Sequence, residues 1–310
     1  MRTSSTHAAR SRFRPAASGV AVATVLSATF LAIPIGSPPV AAAPMHAAAQ
    51  PGDVTVLSAG SLETIMRTAV EPGFRAATGG SVSDISGGST ALAQEIKGGV
   101  HKADVFWSAS PTSDRALIGA KNGNWVSWYV TFATTSLVLG YEPMDKFASS
   151  IKSAPWWKVI IEPGFRVGRT NPVTDPKGRL TVAALKEAAK QHKDDALDAI
   201  ANKQSTVFTE TSLVGRLQAG QLDAGFFYAV EASAAHFPTV PLTGVTEKAD
   251  YTLTVVAKAP HAATAALFVK WMLSPAAKKL LAVHGLVELG KPVLTGNRSA
   301  LPARLRKVIQ

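Results

Sequence analysis

Along the chain the apolar positions change period in a repeating way. A short β-branched or alternating run gives way to a turn of small residues, and then to apolar positions three and four apart. Val54-Thr-Val-Leu57 is the first run, Ser58-Ala-Gly-Ser61 the turn, and Leu62, Ile65, Met66, Ala69 and Val70 the helical face that follows. Pro72-Gly73 and Gly79-Gly80 punctuate its end. A second unit passes from a strand over 81–85 through Ser86-Gly-Gly-Ser-Thr90 into Ala91, Leu92 and Ile96. A third passes from Ala103-Asp-Val-Phe-Trp107 through Ser108-Ala-Ser-Pro111 into a helix over 112–120.

Two strands follow, over 126–135 and 136–141, and the second reads as the exit from a first lobe. Residues 151–161 make a short helical or irregular piece, 165–169 a strand, 170–178 a long polar turn, and 181–191 a helix. A charged helical stretch runs to Asn202, residues 207–211 precede a helix carrying Leu213, Val214 and Leu217, and 224–229 is a buried strand before an alanine-rich helix. The βα logic therefore recurs in a second lobe. Strands over 240–245 and 251–257 and helices over 262–273 and 275–283 complete the chain, which should return to the first lobe around 238–245. Glu71-Pro-Gly-Phe-Arg75 recurs as Glu162-Pro-Gly-Phe-Arg166, but the flanks differ and no internal repeat is implied.

In a parallel open sheet the turns after the strands lie along one edge, and ligands bind outside it. A helix starting there leaves N–H groups unpaired beside the positive end of its dipole, which suits an anion. N-capping accounts for one Ser at such a junction. Three successive junctions of this kind point to a shared site.

At 310 residues and 46% hydrophobic content the chain is long enough for two lobes with their own cores. Residues 1–49 have a different character: Arg2, Arg10, Arg12 and Arg14 precede an apolar run over 16–35, and small residues follow at 41–43 and 47–49. This is the layout of a cleavable signal peptide and linker, and Pro34 and Pro38-Pro39 argue against a permanent span. Its four arginines come with no acid, so removing it lowers the formal charge from +11 to +7. Lys291, Arg298, Arg304, Arg306 and Lys307, again without an acid, account for five more, leaving about +2 on the body. That distribution gives no basic stripe for nucleic acid, and the tail reads as a solvated terminal helix. With no cysteine there is no disulfide framework, no thiolate chemistry and no N-terminal lipid attachment. The mature protein is expected in the periplasm.

Several stretches carry a resemblance: Leu57-Ser-Ala-Gly-Ser-Leu62, Gly87-Gly-Ser-Thr90, Ala103-Asp-Val-Phe-Trp-Ser-Ala109, Gly168-Arg-Thr-Asn-Pro-Val-Thr-Asp-Pro-Lys-Gly178, and Glu210 through Leu217-Gln-Ala-Gly-Gln-Leu-Asp-Ala-Gly-Phe-Phe-Tyr228. Together, in order and over nearly all of the mature chain, they resemble the periplasmic molybdate/tungstate-binding proteins of ABC importers. The resemblance implies an α/β, two-lobed periplasmic-binding-protein fold of type II, each lobe a mixed sheet flanked by helices, with the ligand in the interlobe cleft. Lobe I would comprise 50–135 plus 240–310 and lobe II 136–239.

By motif position, Gly60 and Ser61, Ser89, the Ala109 N–H and Tyr228 would donate to the oxyanion. Asp175 and Glu210 would approach its metal centre, favouring molybdate or tungstate over sulfate, whose sulfur cannot expand its shell. Considered on their own, Asp175 reads as a turn-forming Asp before Pro and Glu210 as an acid favoured by a helix dipole. Two positions depart from the family: Asn171 stands where Asp is commoner, and Arg179 where an aromatic is common. Arg169 is expected to pair with Asp175, the alternative being contact with the anion.

The resemblance also implies an ABC permease and its ATPase as partners, a monomer, no cofactor and no nucleic acid. The alternatives are a binder of sulfate-like or small organic anions and, from another class, a secreted serine hydrolase using Ser61. The hydrolase lacks any nominated base, and there is no Gly-x-Ser-x-Gly, His-Glu-x-x-His, Walker or dinucleotide fingerprint. His101, His192, His236, His261 and His284 are scattered without metal-ligand spacing.

Overall fold

The computed structural model describes residues 52–309, so the expected signal peptide lies outside the described residues. Ten strands occur in chain order: β1 Asp53–Ala59, β2 Ser81–Gly87, β3 Val105–Ser108, β4 Trp128–Tyr141, β5 Val167–Thr170, β6 Val207–Phe208, β7 Ala224–Tyr228, β8 Thr239–Pro241, β9 Lys248–Val255 and β10 Val287–Gly296. Their hydrogen-bonded order is β2-β1-β3-β9-β4-β7-β5-β6, with β8 and β10 also on β4.

The three N-terminal βα units give a parallel group, with β1 between β2 and β3. Their alternation divides the side chains between two faces. Val54, Val56, Val105 and Trp107 enter the main core, while Leu57 and Phe106 join Leu92 and Ile96 on the opposite face. Both faces are thus covered, as a parallel sheet requires. Phe74 packs edge-on against Phe268 and Trp271, at 5.3 and 5.7 Å between centroids, which ties the helix Glu71–Thr78 to the late helix Ala262–Met272.

The two expected strands over 126–141 are one strand, β4, that changes partners along its length. Residues up to Ser136 pair with β9, and Leu137–Tyr141 pair with β7. Ser136 is the exposed residue at the changeover, and the sheet on its far side contains β5, β6, β7 and β8. β9 returns the chain to the first group by pairing with β3 and β4, as the expected re-entry requires.

Three local expectations differ from what is found. The helix expected from 181 begins at Pro176, after an Asp175 N-cap, so Lys177 and Gly178 are its first turn and not part of a loop. Gly178 is there for close approach: a methyl group would lie 2.6 Å from the backbone of Asn171. The basic C-terminal tail is not a terminal helix; β10 pairs antiparallel with β4 across a bulge, and short 3₁₀ turns follow. Leu301, Leu305 and Ile309 anchor those turns in the core. Finally, Pro72-Gly73 does not end the first helix but lies inside the helix Glu71–Thr78, whereas the same pentapeptide at 162–166 forms a turn in which Gly164 has φ +80°, in keeping with a coincidental repeat.

Candidate functional site

Ala59 of β1 is in register with Gly87 of β2, and Ser58 with Trp107 of β3. The residues that leave these strands, Gly60-Ser61, Gly88-Ser89 and Ala109, are therefore neighbours. Gly60–Leu62 forms a 3₁₀ turn and Ser89 opens the helix Ser89–Gly98, yet neither serine caps a helix through its hydroxyl. Ser61 Oγ lies 2.9 Å from the Tyr251 hydroxyl, and Ser89 Oγ accepts the Ala109 N–H at 3.0 Å. Both serines are buried. Plain capping does not account for them.

Facing these turns are two helix starts from the far end of the sheet, beyond β4. Asp175 caps the helix Pro176–His192, its Oδ1 accepting the Lys177 N–H at 2.7 Å. Glu210 opens the helix Glu210–Gln218 behind its Thr209 cap, and Tyr228 ends β7. The two sides approach closely: a methyl on Gly60 would sit 1.9 Å from Glu210 Oε2 and force that side chain to shift, and one on Gly88 would sit 2.4 Å from the Thr174 carbonyl oxygen, which is backbone. Three hydrogen bonds cross between the two sides. Ala91 N–H donates to Thr174 O at 3.1 Å, Arg179 Nη1 to Thr90 Oγ1 at 2.8 Å, and Thr211 Oγ1 to Glu63 Oε2 at 3.0 Å.

Gly60, Asp175 and Glu210 line a cleft of about 480 Å³ together with Gly88, Thr170 and Asn171. Ser61 and Glu210 share an adjoining cavity of about 190 Å³ with Glu231. Ala109 borders a separate groove beside Pro176. Ser89 and Tyr228 are buried and line none of these three cavities: Ser89 lies behind Ala109, and Tyr228 packs edge-on against Tyr251, the partner of Ser61.

Two residues at the centre were not anticipated. Lys177 is wholly buried, with its ammonium 2.5 Å from Glu231 Oε2 and 3.3 Å from Glu210 Oε1, and 5.8 Å from the centre of the Tyr228 ring. Burial alone would push that ammonium's pKa down, but Glu231, Glu210 and Asp175 outweigh it and hold the pKa above its ordinary value. Burial raises Glu210 well above the usual carboxylate range, and the nearby Asp175 raises it further. Glu231 is raised by burial, with Lys177 opposing the shift. Burial likewise lifts the Tyr228 phenol. The Asp175-Pro-Lys-Gly178 motif contained Lys177 but gave no sign that it turns inward. Nothing local marks Glu231.

Among the described residues, Tyr228 OH, Glu210 Oε2, Glu231 Oε1 and Thr170 Oγ1 are buried without a hydrogen-bond partner. Buried polar groups are ordinarily paired, and several orphans together mark a place where a ligand's groups can be received. Arg169, by contrast, does not pair with Asp175; it is buried and donates to the carbonyls of Ala201 and Lys203 at 2.7 and 3.3 Å. Asn171 accepts the Val173 N–H in a local turn, and Arg179 reaches across to Thr90. The histidines have local roles: His261 meets Asp104 at 3.0 Å, and His192 stacks on Trp157 at 4.0 Å.

Comparison with known proteins agrees with this architecture. A putative ABC transporter molybdenum-binding protein of Haloferax volcanii is 30% identical over 198 residues, which cover 64% of this chain and 62% of that protein, under two thirds of its length. The molybdate/tungstate-binding protein of Thermococcus kodakarensis is 22% identical, covering 73% of this chain and 77% of its own. Among solved structures, the periplasmic molybdate-binding protein of Azotobacter vinelandii superposes with a TM-score of 0.61 at 23% identity, over 76% of this chain and 98% of that one, so the two share the type II periplasmic-binding-protein fold. Residues 54–287 match the family described as bacterial extracellular solute-binding protein, a family of binding proteins and not of enzymes, and the chain belongs to it.

Proposed function

We propose that this protein captures a tetrahedral oxyanion, molybdate or tungstate, in the cleft between its two lobes and delivers it to an ABC permease driven by its ATPase. The lobes on this reading are 50–135 with 240–310 and 136–239, hinged where β4 changes partners. The leader would direct the protein to the periplasm, where it would act as a monomer. Among the described residues no helix is long and apolar enough to cross a membrane.

The observation that carries the reading is the pairing of neutral donors with one free carboxylate oxygen. Gly60, Ser61, Ser89 and Ala109 leave three neighbouring strand ends, with the Ala109 N–H held by Ser89 Oγ, and opposite them Glu210 presents Oε2 without a partner while its Oε1 is held by Lys177. Neutral donors suit a dianion that must later be released. A carboxylate oxygen repels the ligand's own oxygens but can meet a hexavalent metal centre able to accept more ligands. Asp175 has one oxygen committed to its helix cap, which leaves the other for the same role. Tyr228 would donate from lobe II. The names of the Haloferax and Thermococcus relatives favour molybdate and tungstate over sulfate.

Calorimetry with molybdate, tungstate, sulfate and phosphate tests the proposal. Submicromolar binding of the first two and none of the others is the expected result. Absence of any oxyanion binding refutes it, and hydrolytic activity abolished by Ser61→Ala would point instead to the enzyme alternative.

A further inference from the structure

The cleft alone offers little positive charge to draw in a dianion. Asp175, Glu210 and Glu231 surround a single ammonium, that of Lys177. Attraction through solvent must come from elsewhere.

The groove of about 360 Å³ beside Ala109 supplies it. One wall comes from the turn and short helix around 109–115 and from the start of β9, and the other from the first turn of the helix Pro176–His192. It collects three cations, Arg115, Arg179 and Lys248, against one carboxylate, Asp250. Among the described residues none of the three cations is in an ion pair. Arg115 is exposed but braced, with Nη2 donating to Thr112 Oγ1 at 2.9 Å and Nη1 to the Tyr129 hydroxyl at 3.4 Å. Arg179 is half-buried on Thr90, and Lys248 is exposed. The groove borders Ala109, whose N–H meets Ser89, and Pro176, which directly follows Asp175.

We propose that this groove is an outer, entry subsite for the oxyanion, where Arg115, Arg179 and Lys248 collect a tetrahedral dianion from solution before it passes to the neutral donors of the cleft. The proposal rests on the oxyanion reading of the cleft. Uncompensated cations in a concavity steer anions and raise association rates by about 10- to 1000-fold, an effect that salt removes. Placing them outside the final seat divides the labour: the groove sets how fast the ligand arrives, and the cleft sets how long it stays. It also gives a reason for arginine at 179.

The test is stopped-flow tryptophan fluorescence with molybdate, comparing the wild type with the double variant Arg115→Gln/Lys248→Gln at low and high salt. Arg179 is left in place because it also bridges the two sides. The expected result is an association rate lowered roughly ten-fold at low salt, converging with wild type at high salt, with the dissociation rate unchanged. The charge-preserving pair Arg115→Lys/Lys248→Arg should restore most of the association rate. Equal association rates at low salt, or a loss confined to the dissociation rate, overturns the entry subsite. If the wild type itself binds no oxyanion by calorimetry, the reading of the cleft fails and the subsite falls with it; binding with unaltered association refutes the groove alone.

Discussion

On the proposed reading of a hinged cleft, Gly88→Ala should separate closure from folding. Gly88 has φ −61° and ψ 125°, an extended conformation open to any L-residue, so alanine there brings no local strain. With the backbone satisfied, the smaller entropy of the unfolded chain should even add about 0.4–1 kcal/mol to the stability of the ligand-free protein when it is open. In the closed arrangement the new methyl would lie 2.4 Å from Thr174 O, 3.0 Å from Thr174 C and 3.2 Å from Asp175 Cβ. Ordinary contact begins near 3.4 Å, so the two sides must separate by about 1.0 Å (3.4 − 2.4). The obstacle is backbone and has no rotamer to adopt. That separation breaks the Ala91–Thr174 hydrogen bond, worth about 0.5–1.5 kcal/mol, and overpacking adds about 1–3 kcal/mol. The closed state therefore loses roughly 2–4 kcal/mol, a factor of about 30 to 700 in affinity. Calorimetry with molybdate, run beside a thermal melt of the ligand-free protein, reads both effects. Affinity within threefold of wild type at unchanged melting temperature would refute the close approach of Gly88 to Thr174. A melting temperature several degrees lower would show that Gly88 serves the fold and not closure.

Other variants probe the buried charges. Lys177→Met removes the one ammonium from among Asp175, Glu210 and Glu231, and should destabilise the protein by about 3–5 kcal/mol, read as a fall in urea midpoint. Glu210→Gln should weaken molybdate binding at least ten-fold if Oε2 meets the metal centre, and leave it nearly unchanged if the residue only favours its helix start. Tyr228→Phe deletes a hydroxyl that has no partner among the described residues, so melting should be unchanged or slightly raised while affinity falls. Burial lifts the carboxyl of Asp114 to about 7 against a partial offset from the Thr252 hydroxyl, and burial lifts Asp84 to about 6. Both folded values lie above the unfolded value, so the stability they confer is complete below pH 4 and is lost as pH rises through 6 and 7. For the fully buried Asp114 the swing is on the order of 4 kcal/mol. Asp114→Asn should flatten the melting profile between pH 5 and pH 8, and an unchanged slope would refute the assignment.

What could be read from sequence was local. The switch from period two to period 3.6, with Gly and Ser between, located β1 to β3 and the turns that follow them, and those turns do gather on one side. Asp175 before Pro176 also announces a helix start, but Gly178 disguised it as loop, because a glycine demanded by close approach looks like one demanded by a turn. The single strand β4 was divided in two because its burial breaks at Ser136, where one set of partners gives way to another. β10 was missed for a related reason: it is a largely exposed edge strand with Gly290, Pro292 and a bulge, so the apolar alternation that marks a strand is faint. Lys177 and Glu231 stand 54 residues apart and meet only once two elements pack, and no spacing in the chain encodes that.

On the proposed reading, the buried charges give a reason for the cleft to use both kinds of group. A dianion held by cations alone would be bound by charge, and sulfate would satisfy such a site as well as molybdate. Among the described residues Glu231 and Glu210 claim the one buried ammonium at the centre, leaving it little positive field to offer a ligand. On the proposed reading affinity must then come from directed donors at the three strand ends, whose positions are set by sheet register, and from whatever the ligand can accept from Glu210 Oε2. A sulfate oxygen facing that carboxylate meets only repulsion, while a metal centre with room for another oxygen turns the same contact into attraction. Discrimination would thus lie in the Glu210 carboxyl, whose Oε1 is aimed by Lys177, while burial and Asp175 raise its pKa against the opposing pull of that ammonium.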